Sequence, residues 1–144
     1  MIDNFLTIFK KYNKIVLFGL GPSFFCVEYF AYKFALVSGK NIFSTQSETY
    51  AQHLVDEETL FIVFSVTGKY TSFENLFNAI KSCGTEILLI LEEYNNSSAL
   101  EIENIFYLTK STQNESLLPF EKTRTVFFIF IEEVIARLMS ERET

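Results

Sequence analysis

The sequence predicts an α/β domain built on a parallel sheet, and three observations lead there. Short runs are continuously apolar, as strands covered on both faces must be: KIVLFGL (14–20), LFIVF (60–64) and EILLIL (86–91), with weaker runs NIFST (41–45) and NIFYLT (104–109). Helical patterns separate these runs. Strand and helix therefore alternate along the chain, which right-handed crossovers turn into a parallel sheet. A length of 144 residues fits a single domain with a real core, residues 1–13 forming a leading helix and 14–139 the sheet and its helices.

Each helix follows from local pattern. IDNFLTIFKKYN, before the first strand, suffices for one amphipathic helix. Residues 22–38 form a mostly apolar helix that stops before Gly39. A start at Ser47 or Glu48 carries a short helix to Leu54. Phe73, Leu76, Phe77 and Ile80 show i, i+3, i+4, i+7 spacing, and Gly84 follows at the expected cap. The last helix, roughly 120–139, carries a stripe of Phe127, Ile131, Val134, Ile135 and Leu138, with Phe128 and Phe130 off it. A helix apolar on more than one side is deeply buried or meets a partner chain. Residues 93–98 and 110–119 are polar and loop-like; Asn95 and Asn96 read as a turn.

Composition removes several function classes. The net charge of −6 argues against a phosphate-backbone footprint, so no direct nucleic-acid binding is expected. Cys26 and Cys83, embedded in apolar helical patterns without C-x-x-C spacing, read as reduced, buried thiols of a cytoplasmic protein. The N-terminus lacks signal-peptide features. The longest apolar window, VFFIFIEEVIARLM, is interrupted by Glu132, Glu133 and Arg137, so no membrane span is expected. The lone His53 reads as a structural histidine, and with no second histidine a metal site is not expected. Glu86, Glu92 and Glu93 read as solvated strand ends.

In an open α/β sheet, ligands bind beyond the carboxyl ends of the strands where strand order reverses. With the order 2-1-3-4-5, the loops that meet there are GLGPS (19–23) and SVTGKYTS (65–72), both rich in glycine and hydroxyls. A dinucleotide fingerprint fails because Phe24 stands at the third glycine position and no acidic residue closes the second strand. A Walker-type P-loop is absent, and no cofactor is expected. What remains is recognition of a single phosphate by hydroxyls and backbone N–H groups. Ser23 sits just inside a helix start, and Ser65, Thr67, Thr71 and Ser72 surround the next, with Lys69 adding one charge.

GLGPS before an apolar helix and FSVTGKYTS after a buried strand resemble the two phosphate loops of sugar isomerase (SIS) domains, G-x-G-x-S and S-x-S-G-x-T. The tail EKTRTVFFIFIEEVIARL resembles the closing helix of SIS domains in RpiR-type transcriptional regulators. The resemblance runs from about residue 5 to 139. It implies a flavodoxin-like, three-layer α/β/α fold with a five-stranded parallel sheet, a homodimer or dimer of dimers, and a phosphorylated sugar as ligand. Gly21, Ser23, Ser65, Thr67, Gly68, Tyr70 and Thr71 fall on the ligand loops. Thr67 replaces the usual second serine and keeps the hydroxyl; Tyr70 stands where the family has threonine.

The resemblance leaves three functions open. A sensor would bind the phosphosugar, order loops 65–72 and 110–119, and so bias a dimer interface and a DNA-binding domain attached to it. An aldose–ketose isomerase needs a base between adjacent carbons. Glu115 lies near the family's glutamate, with Glu121 the second choice. A dimerisation module would bind no sugar, Tyr70 filling the site. The expectation is the sensor.

Overall fold

The computed structural model describes residues 1–94 and 101–142. Five strands, β1 (Lys14–Gly19), β2 (Asn41–Thr45), β3 (Thr59–Ser65), β4 (Glu86–Leu91) and β5 (Asn104–Tyr107), form one sheet of order β2-β1-β3-β4-β5. Every pairing is parallel. The helices are α1 (Ile2–Phe9), α2 (Pro22–Ser38), α3 (Glu48–Leu54), α4 (Phe73–Ser82) and α5 (Thr125–Arg142). From β1 the chain runs outward through α2 to β2, then returns through α3 to β3 on the other side of β1. The order reverses there, and a crevice opens at the carboxyl ends of β1 and β3.

Side chains alternate across the pleat, so each strand feeds two cores. Ile15, Leu17, Leu60, Ile62, Phe64, Leu88 and Ile90 pack with α1, α2 and α5. Val16, Phe18, Phe61, Val63, Ile87, Leu89 and Leu91 pack with α3 and α4. The apolar runs are continuous because both faces of the sheet are covered.

The first core is aromatic. Phe5, Phe9, Phe30 and Phe34 touch one another and continue through Phe64 to Phe127 and Phe130. Phe130, off the stripe in sequence, is buried with its ring edge-on to Phe5 at 5.3 Å. Phe128 is half-buried against Tyr29. α5 is thus apolar on more than one side because it closes the sheet and α1 and α2 together.

The structure differs from the sequence reading at two helix ends, at Cys83 and at three glutamates. The first helix stops at Phe9, not residue 13. α5 begins at Thr125, not near 120, because Pro119–Glu121 form a separate 3-10 turn. Cys26 is buried, but Cys83 is exposed at the cap of α4, where the apolar stripe has already turned away. Glu92 and Glu93 are buried, not solvated: at 3% and 5% exposure they lie beneath the stretch 111–124. Glu86 is half-buried at the start of β4, accepting from Tyr12 and Asn104. The turn read at Asn95–Asn96 lies outside the described residues.

Candidate functional site

The first wall of the crevice is the β1–α2 turn. A Cβ on Gly19 would lie 2.9 Å from the Ser23 carbonyl oxygen and 3.0 Å from Val27 Cγ2, so only glycine lets α2 start this close to the strand. Gly21 follows with φ +55° and ψ −131°, a backbone region that only glycine reaches readily. Nothing lies within 4 Å of a Cβ at that position, so backbone conformation and not space demands the glycine. Together the two glycines deliver Ser23 into the first turn of α2, 3% exposed. The Ser23 and Phe24 amides donate to the Leu20 and Gly21 carbonyls. Of Ser23, the hydroxyl and not the amide is therefore available to a ligand.

The second wall is the β3–α4 loop. Ser65 Oγ accepts from the Gly68 amide at 2.9 Å, and Thr67 Oγ1 from the Lys69 amide at 3.1 Å. The Ser65 hydroxyl, having accepted from an amide, still carries a proton to donate. Gly68 makes the turn at φ +72°. Tyr70 is half-exposed with its ring edge-on to Phe73 at 5.4 Å. Ser72 is spoken for: its hydroxyl donates to Glu48 and ties α4 to α3.

The third wall comes from the stretch before α5; the sequence reading brought loop 110–119 to the ligand but missed Lys122 and Arg124. Leu117, Pro119, Lys122 and Arg124 join Leu20, Ser23, Phe64, Ser65, Val66, Thr67, Lys69, Tyr70 and Phe73 around a cavity of about 300 Å³. The structure thus brings four of the seven expected ligand residues, Ser23, Ser65, Thr67 and Tyr70, to one cavity. Gly21, Gly68 and Thr71 shape the loops without lining it. Glu115 is exposed and outside the lining. Glu121, also exposed, accepts from the Leu118 amide at 2.8 Å and braces the turn. His53 is exposed on α3. No three potential metal-binding side chains cluster among the described residues. None of the described helices is long and apolar enough to cross a membrane.

A buried polar lock holds the third wall. Lys122 Nζ lies 2.8 Å from Glu93 Oε2, with both side chains under one-tenth exposed. The Gln113 amide donates to the same oxygen at 2.8 Å. The Gln113 side chain donates to Glu92 and to the Thr123 carbonyl, and accepts from the Thr123 amide at 2.8 Å. One sequence signal pointed here: EKTRT sets two cations directly before an apolar helix in an acidic chain. What they pair with was not readable.

Glu92 Oε1 is buried with no hydrogen-bond partner. Burial pushes this carboxyl up from its usual 4.5, opposed by Gln113, reinforced by Glu93, and again opposed by Arg124 and Lys122. The folded state therefore holds the proton more tightly than the unfolded chain. The stability this group contributes is full below about pH 4.5 and is lost as pH rises through the folded value. Glu92→Gln is expected to flatten that decline when urea unfolding is followed from pH 4 to 8. An unchanged slope would mean that Glu92 does not titrate there.

A family model described as SIS domain matches residues 8–137. No curated protein matches the chain. Among solved structures, the fold is similar to the Vibrio vulnificus NanR protein complexed with ManNAc-6P. That match has a TM-score of 0.77 and 14% identity over 97% of this chain and 53% of that one. An Escherichia coli CFT073 protein in complex with a phosphosugar gives 0.77 and 20% over 98% and 77%. The sugar isomerase domain of an RpiR transcription factor from Sphaerobacter thermophilus gives 0.68 and 12% over 99% and 84%.

Proposed function

This chain belongs to the SIS domain family, and from that premise we propose that it is a phosphosugar-binding sensor domain of the RpiR type. The observation that carries the reading is the convergence of Ser23, Ser65 and Thr67 on one cavity at the switch point. The Ser23 and Ser65 hydroxyls, each of which accepts a hydrogen bond and keeps a proton to donate, suit phosphate oxygens. Phe64, Val66, Phe73, Leu117 and Leu20 give the rest of the lining an apolar character. That suits the carbon face of a sugar.

The sensor reading draws on the likeness to the RpiR and NanR structures. Ligand would engage both hydroxyl loops and the stretch 110–124 at once. That transmits occupancy to α5, and through a homodimer to a DNA-binding domain. The expected result is thermal stabilisation by sugar phosphates and not by the corresponding free sugars, scanned over hexose and amino-sugar phosphates. Ser23→Ala with Ser65→Ala is expected to abolish a shift of several degrees. A shift that survives the double substitution would move the site elsewhere. Turnover of an aldose or ketose phosphate that Glu115→Gln abolishes would replace the sensor by an isomerase.

A further inference from the structure

We propose that Arg124 is the charged ligand of this site, its guanidinium and the Ser23 hydroxyl together forming a two-pronged donor to the phosphate of a sugar monoester. The inference rests on the phosphosugar reading above and adds to it a residue that neither hydroxyl loop contains.

Three of the five guanidinium N–H groups are committed. Nε donates to Ser23 Oγ at 3.1 Å, and Nη1 donates to the Pro119 and Lys122 carbonyls at 2.7 and 2.8 Å. These bonds pin the plane of the fork against the first turn of α2, in the wall of the cavity. The two N–H groups of Nη2 have no hydrogen-bond partner among the described residues. Ser23 Oγ, having accepted from Nε, directs its own proton to another acceptor. Two donors thus share one cavity wall, an arrangement in which a tetrahedral oxyanion can accept from an arginine fork and its neighbour.

The distribution of charge singles out the same residue. Of the three cations lining the cavity, Lys122 is matched by Glu93, and Lys69 is exposed, where solvent and salt screen it. Arg124 is half-buried. Burial pulls its guanidinium down from the ordinary value, with Cys26 and Glu92 offsetting part of this. Glu92 is itself pushed toward its neutral form by burial. A half-buried cation so placed gains from an anion brought beside it, because the anion replaces the water it has lost. Lysine at this position would keep the charge and lose the fork.

Titration calorimetry of the full chain with ManNAc-6P, the phosphates of arabinose and glucosamine, inorganic phosphate and unphosphorylated ManNAc tests this. Phosphorylated probes are expected to bind the native chain. Arg124→Lys should weaken them about 10-fold and Arg124→Gln about 100-fold, the range of a charged hydrogen bond. In the native chain, the ¹⁵N-coupled Nε–H resonance of Arg124 should shift on addition of the same probes, a readout that needs no variant to fold. Native affinity in Arg124→Gln, or an Nε–H resonance unmoved at saturation, would overturn the role of Arg124 and leave the phosphosugar reading standing. Failure of every phosphorylated probe to bind the native chain would overturn both.

Discussion

Phe34→Ala is expected to lower folding stability by about 3–5 kcal/mol, the range for truncating a fully buried ring. Phe34 is fully buried where α1 and α2 meet, with ring centroids of Phe30, Phe9 and Phe5 at 3.6, 4.7 and 6.4 Å. Truncation removes apolar area and leaves a void that rings fixed by one another cannot collapse into. At roughly 3 °C per kcal/mol for a domain of this size, Tm should fall by about 10 °C or more. Phe34→Leu, which keeps most of the volume, should cost about 1.5 kcal/mol or less. Urea unfolding of both variants measures the difference; equal losses would mean that packing of the rings contributes nothing beyond hydrophobicity. The same aromatic chain passes through Phe64, which lines the cavity, so this core also borders the site.

Lys122→Met is expected to cost about 3–5 kcal/mol, because it strips the cation from a carboxylate that stays buried. Glu93 Oε2 would keep only the Gln113 amide as partner. The substitution should also weaken sugar-phosphate binding, since Leu117, Pro119 and Arg124 belong to the stretch this pair holds down. Adding Glu93→Gln removes the stranded charge while keeping an acceptor for the Gln113 amide. The double variant should recover most of the lost stability. A double-mutant cycle by urea unfolding reads the coupling. Additive losses would mean that Lys122 and Glu93 do not act as a pair.

Much of the fold was legible because it rests on local physics. Apolar runs of five to seven residues between helical patterns identify strands covered twice, and residues 22–38, 41–45 and 86–91 match their elements to the residue. The helix from 48 starts where Ser47 caps it, its hydroxyl accepting from the Tyr50 amide at 3.1 Å. Two walls of the candidate site were legible for the same reason: glycines and hydroxyls at strand ends carry their meaning within a few residues.

The rest depended on contacts across the chain. Glu92 and Glu93 look like solvated acids because nothing within ten residues of them is a cation; their partners, at 113 and 122, are brought there only when the stretch before α5 folds over the end of β4. Arg124 looks like the polar start of a helix until Ser23, a hundred and one residues away, lies at 3.1 Å.

By itself, then, the sequence determined the parallel sheet, its glycine-bearing turns and the hydroxyls that face the switch point, since periodicity and backbone permissiveness act over single turns and strands. Only the tertiary structure decided which charges enter the cavity and which are buried beneath it. Whether a carboxylate is solvated or locked depends on what the fold lays across it, and neighbouring residues do not record that.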